Sequence, residues 1–261
     1  MTPTDPPDRP ALALTGLTRR YGSLTALDDV GLTLATGARH AVIGPNGAGK
    51  TTLLNLIAGT EIPDRGTVVL DGRDLTRTAP ARRARRGIAR SFQQPSVIPE
   101  LTVLDNLVLA AWRHQRWPEG SGLPLLGRRA RHRTATAYDQ LAEVGLADVA
   151  DEPAARLSHG RRRLLDIAAA LSARPRVLLL DEPAAGLTDR DIGRLLDVLD
   201  GVDDAVALLL VEHHTEVVAR IADAVTVLVD GRTLVTGPVR TALDHPAVRE
   251  AYLGTTTAET H

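Results

Sequence analysis

The sequence contains no cysteine, which excludes disulfide bonds and thiolate metal sites. Only 2% of its 261 residues are aromatic, whereas 43% are hydrophobic. The core must therefore be aliphatic, as it is in parallel sheets covered by helices. The formal net charge is −1, so charge gives no indication of a nucleic-acid partner. No apolar run approaches the ~18 residues of a membrane-spanning helix, and the N-terminus lacks an apolar signal core. A cytoplasmic location is the default expectation.

Lysine is almost absent as well, because Lys50 is the only lysine among 31 basic residues. It lies in the segment 41–55, AVIGPNGAGKTTLLN, which is typical of a strand, a glycine-rich loop and a helix. Within it, GxxxxGKT from Gly44 to Thr51 is the phosphate-binding P-loop pattern. A compact ammonium group fits beside a polyphosphate, whereas a planar guanidinium does not. The retained lysine therefore favours a P-loop over a chance motif.

The residue types of this segment explain the chemistry expected of it. Gly44, Gly47 and Gly49 allow the backbone to bend tightly and to approach a phosphate chain. Their N–H groups and the positive end of the following helix form an anion site. Lys50 is expected to reach the terminal phosphates, and the Thr51 hydroxyl to bind Mg²⁺.

Apolar runs and turn signals divide the rest of the chain into strands and helices. The predicted strands are 12–17, 30–34, 39–43, 66–70, 88–92, 177–180, 205–211, 225–229 and 233–235. The predicted helices are 50–58, 101–112, 130–144, 161–173 and 189–199, with short helices within 239–253. This order predicts an α/β fold with a mostly parallel sheet.

The ends of the chain and one internal stretch have a different composition. Residues 1–10 carry four prolines and little apolar content, which predicts a disordered tail, and 255–261 form a polar tail. Residues 117–127 are rich in proline and glycine and are predicted to be a loop.

Candidate reactive residues follow three predicted strands. Gln93 follows the strand 88–92, Asp181 and Glu182 follow 177–180, and His213 follows 205–211. Because ligands bind at the carboxyl edge of open α/β sheets, the shared position is more informative than any one residue. A carboxylate pair there suits Mg²⁺ binding and activation of water. Alone, Gln93 is a weak signal, and adjacent histidines are usually structural or solvated.

Two further residues leave alternatives open on their own. Tyr21, beside Gly22, is either a turn aromatic or a ring that stacks on a nucleotide base. Ser158, within Leu-Ser-His-Gly at 157–160, has the chemistry of an ordinary helix N-cap.

Together these motifs resemble the ATP-binding subunit of ABC transporters over residues 11–254. They are the P-loop, Gln93 after Ser-Phe, LSHG at 157–160, LLLDEP at 178–183 and His213. The branched-chain amino acid importers, a group that includes urea and short-amide importers, are similar in more detail. That similarity lies in GIARSFQ at 87–93, LTVLDNL at 101–107, the 117–127 insertion, DEPAAGL at 181–187, VEH at 211–213 and HPAVREAYLG at 245–254.

The resemblance implies a single domain over 11–254 with a P-loop NTPase (RecA-like) core. It also implies an N-terminal antiparallel β subdomain and an inserted helical subdomain at about 98–165. The implied cofactors are ATP and Mg²⁺. The implied phosphate and Mg²⁺ contacts are Gly44, Pro45, Asn46, Gly47, Ala48, Gly49, Lys50, Thr51 and Thr52.

The remaining implied roles belong to single residues. Tyr21 would stack on adenine, Gln93 would sense Mg²⁺ and touch the membrane subunits, and Asp181 would hold the Mg²⁺ shell. Glu182 would be the catalytic base and His213 would contact the γ-phosphate. Ser158 and Gly160 would bind the γ-phosphate of ATP held by another subunit.

The resemblance also implies an assembly at the cytoplasmic face of the cell membrane. Its other members would be a second ATP-binding subunit, identical or not, two transmembrane permease subunits and an external substrate-binding protein. No nucleic acid is expected. Three positions depart from the family pattern. Arg161 replaces the glutamine that ends the signature, His214 replaces aspartate after the histidine, and Thr188 replaces Asn or Asp after Gly-Leu.

Other functional classes fit less well. A regulatory GTPase would need a lysine in its guanine-selecting N/T-K-x-D segment, and Lys50 is already in the P-loop. A soluble, non-transport ABC ATPase usually carries two cassettes, a coiled-coil insertion or a basic surface. A non-enzymatic ATP-gated module would not need Glu182 and His213.

Overall fold

A computed structural model describes residues 9–113 and 128–253 of the chain. The predicted loop at 117–127, the tail at 255–261 and all but the last two residues of the 1–10 tail lie outside those ranges. Within them, no helix is both long enough and apolar enough to cross a bilayer.

Strands and helices alternate along most of the described chain. The strands are β1 (Leu12–Tyr21), β2 (Leu24–Leu34), β3 (Arg39–Ile43), β4 (Arg65–Leu70), β5 (Arg73–Asp74), β6 (Ile88–Ser91), β7 (Val177–Asp181), β8 (Ala207–Val211), β9 (Ala224–Val229) and β10 (Arg232–Pro238). The helices are α1 (Lys50–Ala58), α2 (Pro80–Arg85), α3 (Val103–Arg113), α4 (Arg128–Glu143), α5 (His159–Leu171), α6 (Asp189–Asp200), α7 (Thr215–Ile221), α8 (Val239–Leu243) and α9 (Pro246–Leu253). The 3₁₀ turns Ala147–Val149 and Ala154–Arg156 lie between α4 and α5.

Six strands form a mostly parallel sheet in the order β10-β9-β3-β8-β7-β6. β3 pairs in parallel with β8 and β9, and β7 pairs in parallel with β6 and β8. Only β10 is antiparallel to its neighbour. The carboxyl ends of β3, β6, β7 and β8 therefore meet at one edge, which is where the P-loop begins.

The central strands of this sheet are buried on both faces, which is why β8 and β7 up to Leu180 are continuous aliphatic runs. The side chains of β7 alternate between two cores. Leu179 belongs to the core that contains Leu53 and Leu54 of α1. Leu178 belongs to the core that contains Leu164 of α5 and Leu195 of α6. The α1 helix and the α5–α6 pair thus cover opposite faces of the sheet.

A second, antiparallel sheet has the order β2-β1-β4-β5. β1 and β2 are longer than the predicted runs 12–17 and 30–34, because polar and half-exposed residues continue the hairpin beyond its apolar part. The predicted α/β class with a mostly parallel sheet is confirmed. The predicted helices do not include α7, a short helix whose buried side is limited to Val217, Val218 and Ile221.

Candidate functional site

The P-loop connects β3 to α1 through a backbone that glycine alone fits at two positions. Gly44 and Gly49 have φ angles of 153° and 98°, in the region that favours glycine. A Cβ on Gly44 would lie 2.1 Å from the carbonyl oxygen of Leu228. A Cβ on Gly49 would lie 2.4 Å from that of Ala26. The neighbouring strands therefore confine the loop, whereas nothing lies within 4 Å of a Cβ built on Gly47.

Lys50 is the first residue of α1 and is only 7% exposed. Its Nζ donates to the carbonyl oxygens of Gly44 at 2.7 Å and Pro45 at 2.9 Å. Burial lowers the pKa of this ammonium, and the nearby Glu182 and Asp181 carboxylates oppose that shift. The loop thus holds a poorly hydrated cation next to two acids.

The residues predicted at three strand ends come together around the Glu182 carboxylate. Gln93 Nε2 donates to Glu182 Oε2 at 3.1 Å. His213 Nδ1 lies 3.9 Å from Glu182 Oε1. Glu182 itself has a φ of 45°, a conformation that persists in a non-glycine residue only when the surroundings enforce it. The carboxylate therefore has a polar neighbour on each oxygen.

Glu212 supports this cluster and was not among the predicted site residues. Its side chain is fully buried and accepts hydrogen bonds from the backbone N–H groups of Ala184, His213 and His214. It therefore joins the segment after Glu182 to the segment that carries His213. Its place in Val-Glu-His was visible in the sequence, but glutamate at a strand end does not by itself indicate a buried brace.

A chain of hydrogen bonds joins Asp181 to Tyr21 through three residues that the sequence did not single out. Arg90 donates to Asp181 Oδ2 at 2.8 Å and to Asn55 Oδ1 at 2.7 Å. Asn55 Nδ2 donates to Glu61 Oε1 at 2.9 Å, and the Tyr21 hydroxyl donates to Glu61 Oε2. Tyr21 is 41% exposed, and the guanidinium of Arg19 lies over its ring. Tyr21 and Asp181 are thus connected within one chain.

Ser158 and Gly160 lie at the start of α5, apart from this group. The Ser158 hydroxyl accepts from the Arg161 N–H, so it caps the helix. A Cβ on Gly160 would lie 2.5 Å from Asp191 Cγ of α6. Among the described residues, no hydrogen bond or ion pair joins Ser158 or Gly160 to the P-loop.

The three departures from the family pattern each have a local partner. Arg161 forms an ion pair with Asp148 at 2.9 Å. His214 stacks on His213, with ring centroids 4.3 Å apart. Thr188 caps α6 by accepting from the Asp191 N–H. All three are thus engaged within the chain.

Known proteins are similar to this chain over most of its length. The family model for ABC transporter matches residues 27–185. The branched-chain amino acid transport ATP-binding protein BraF of Pseudomonas aeruginosa is 37% identical over 251 residues, covering 94% of this chain and 98% of BraF. A ribose import ATP-binding protein, RbsA 1 of Mesorhizobium japonicum, is 36% identical over 229 residues, but the match covers only 42% of it.

A solved structure has the same fold over nearly the whole chain. It is the ADP conformation of MJ1267, an ATP-binding cassette of an ABC transporter. The TM-score is 0.83 at 28% identity, and the match covers 95% of this chain and 100% of that one. On the strength of this match, the family model and the full-length relative, the chain belongs to the ABC transporter family, as an ATP-binding subunit with ATPase activity.

Proposed function

We propose that this ATPase powers an importer of branched-chain or other apolar amino acids. The arrangement of the site supports ATP hydrolysis, because Gln93 and His213 flank the Glu182 carboxylate at the sheet edge, beside Lys50. The substrate class is supported by BraF, which the chain matches from end to end, whereas it covers less than half of the ribose relative. Urea or short amides are the alternative cargo.

ATP fits the P-loop by its phosphates. Among the described residues, the Lys50 ammonium donates to two carbonyl oxygens, which a polyphosphate would replace with negatively charged ones. The N-terminus of α1 adds unpaired N–H groups and a positive dipole end. Tyr21 offers an exposed ring for the adenine. The phosphate contacts are then Gly44, Pro45, Asn46, Gly47, Ala48, Gly49, Lys50, Thr51 and Thr52.

Mg²⁺ suits the oxygen donors gathered at the same edge. They are the Thr51 hydroxyl, the Gln93 amide and the Asp181 carboxylate, and hard oxygen ligands are those that Mg²⁺ prefers. Asp181 lies at the end of β7, where its Oδ2 already pairs with Arg90 at 2.8 Å, so the other carboxylate oxygen is the one offered to the ion. When bound, the ion supplies positive charge to the phosphate oxygens.

Hydrolysis follows from the placement of Glu182. Its carboxylate accepts a proton from water as the water oxygen bonds to the γ-phosphorus and the bond to the bridging oxygen breaks. Gln93 donates to the carboxylate on one side, and His213 lies 3.9 Å from it on the other. Lys50 offsets the charge that develops on the phosphates.

Ser158 and Gly160 complete the site of a second subunit. They begin α5, whose positive end is available for a γ-phosphate, and within the described chain they have no link to their own P-loop. We infer a head-to-tail pair of ATP-binding subunits, identical or not, with each ATP held between one P-loop and the other chain's α5. ATP bridges the pair, and hydrolysis removes the bridge.

The permease subunits would dock at a cavity of about 470 Å³ between α2, β6 and α5, which is lined mainly by apolar side chains and also by Arg85, Arg90 and Asp166. It includes Ala84, Ile88 and Ala169, and also Phe92, which is 43% exposed and precedes Gln93. A partner seated there would sense the Gln93 segment directly. Two permeases and an external binding protein would place the chain at the cytoplasmic face of the cell membrane.

The first test compares ATP turnover of the wild type with that of Glu182→Gln, following dimer mass by light scattering. We expect turnover to fall about 10²–10⁴-fold, as for loss of a general base, and the variant to accumulate as an ATP-bound dimer. Glu216→Gln is the matched control, because Glu216 is an exposed acid of α7 outside the site. Equal turnover in wild type and Glu182→Gln would refute the base assignment.

The cargo requires a separate test. Cells with and without the chain are compared for uptake of labelled leucine, urea and ribose. Loss of leucine uptake alone supports the proposal. Loss of urea or ribose uptake instead would show that the assigned cargo is wrong, and it would leave the ATPase assignment unchanged.

A further inference from the structure

Arg163 of α5 is fully buried, and its guanidinium binds two segments of the candidate site. It donates to the carbonyl oxygens of Phe92, Gln93 (3.0 Å), Glu182 (2.8 Å) and Pro183 (3.2 Å). Within the described chain it has no carboxylate within ion-pair distance. Burying a guanidinium costs free energy unless hydrogen bonds satisfy it. The carbonyl oxygens that accept from Arg163 must therefore stay in place.

These acceptors lie just past the point where β6 and β7 stop pairing with each other. The parallel pairing of β6 with β7 ends at Ser91 and Leu180. The four acceptor residues beyond that point have their carbonyl oxygens bound by Arg163 and not by a β6–β7 pair. One rigid guanidinium therefore donates to the segment after β6 and to the segment after β7, and it connects them where strand pairing no longer does.

The side chains attached to these backbones form the reactive cluster. Gln93 donates to Glu182 at 3.1 Å, and Arg163 holds the backbone carbonyl of each. Glu182 also has the positive φ of 45° that its surroundings must enforce. Asp166 lies three positions after Arg163 on α5. It accepts hydrogen bonds from the Ser91 hydroxyl and, at 2.9 Å, from the Ser96 N–H, so it binds the Gln93 loop on either side of Gln93.

We propose that Arg163 is a positioning residue for ATP hydrolysis, which fixes Gln93 and Glu182 relative to each other and to the helix that begins after Ser158. The proposal rests on the proposed roles of those residues. Its consequence is mechanical. If α5 shifts on contact with the ATP bound by the second subunit, Arg163 would move the Gln93 and Glu182 segments with it. The two nucleotide sites of the pair would then be coupled through this guanidinium.

Arg163→Lys tests this inference, because lysine keeps the charge but cannot donate to two separate segments in a fixed plane. We expect kcat to fall about 100-fold, the usual effect of a small misplacement of catalytic groups. The Kd for ATP should stay within about 3-fold, because no P-loop contact is changed.

Arg83→Lys is the matched control. Arg83 is equally buried and also binds carbonyl oxygens, those of Leu56, Ile57, Thr76 and Thr78, none of which belongs to the site. Both variants should lower the Tm, but at a temperature below both transitions only Arg163→Lys should lose kcat. Should Arg163→Lys not fold, Arg163→Gln, which buries no charge, carries the same comparison.

Two results would overturn the inference: unchanged kcat in the Arg163 variant, or an equal loss in Arg83→Lys. Glu182→Gln measured alongside separates this failure from that of the proposed function. If Glu182→Gln is inactive while Arg163→Lys is fully active, only the positioning role is wrong. If Glu182→Gln is active, the assigned base is wrong.

Discussion

His40, on the strand that leads into the P-loop, is expected to make the free energy of unfolding fall in mild acid. It lies in β3, is 6% exposed, and its Nε2 is 2.8 Å from the Thr226 hydroxyl of β9. Burial lowers the pKa of its imidazole to about 4, so the folded protein holds this histidine neutral. The unfolded chain binds a proton on it at about pH 6.5.

The sign and size of the effect follow from that difference. The folded-state pKa is depressed, so the stabilisation is fully present above about pH 6.5 and is lost as the pH falls toward 4. For one such group, the loss between pH 7.5 and 5 is about 2 kcal/mol. For a chain of this size that corresponds to a fall in Tm of roughly 4–8 °C.

The assay is urea unfolding followed by circular dichroism at pH 7.5 and at pH 5, for the wild type and for His40→Val. Valine suits a buried strand, and Thr226 keeps its contact with the Thr236 hydroxyl at 2.9 Å. Groups other than His40 cancel in the comparison, so the variant should lose about 2 kcal/mol less than the wild type. Parallel pH dependence in the two proteins would refute the argument that His40 is held neutral.

Two further predictions concern residues that shape the site. Gly49→Ala should cost at least about 2 kcal/mol of stability, because its φ of 98° and the nearby Ala26 carbonyl oppose a Cβ. Gly193→Ala, in open space on α6, should instead be neutral or stabilising by about 0.5–1 kcal/mol, and equal losses in urea unfolding would contradict this. Arg90→Met should cost about 3–5 kcal/mol by leaving Asp181 buried without its partner. Adding Asp181→Asn should recover part of that loss, and strictly additive losses would count against the pair.

The residues at the strand ends could be predicted because they follow from local sequence. Every residue of β7 and β8 is buried, and apart from Asp181 at the end of β7 all of them are aliphatic. Such runs predict strands that end at a common edge in an α/β sheet. Gln93, Glu182 and His213 were therefore expected to lie together, and the structure brings them within hydrogen-bonding or ion-pair distance. The roles assigned to them remain predictions.

The residues that brace the site could not be predicted, because their partners are distant in sequence. Arg90 follows four other arginines within the segment 82–90 and nothing in the local sequence distinguishes it from them, yet it binds Asp181, 91 residues away. Arg163 looked like one of three successive arginines, yet it is fully buried whereas Arg161 pairs at the surface with Asp148. The side-chain chemistry of arginine is the same at the surface and in the interior. Only the residues packed around it in the folded structure determine whether it is buried.

The sequence by itself determined the fold class, the phosphate-binding loop and the group of residues at the sheet edge, because each depends on backbone periodicity or on a short motif. Only the tertiary structure decided which polar side chains are buried and what they bind. The link from Tyr21 to Asp181 and the position of Arg163 under Gln93 and Glu182 depend on contacts between segments far apart in the chain. Burial makes such contacts strong and obligatory, and burial is a property of the packed molecule rather than of any one segment.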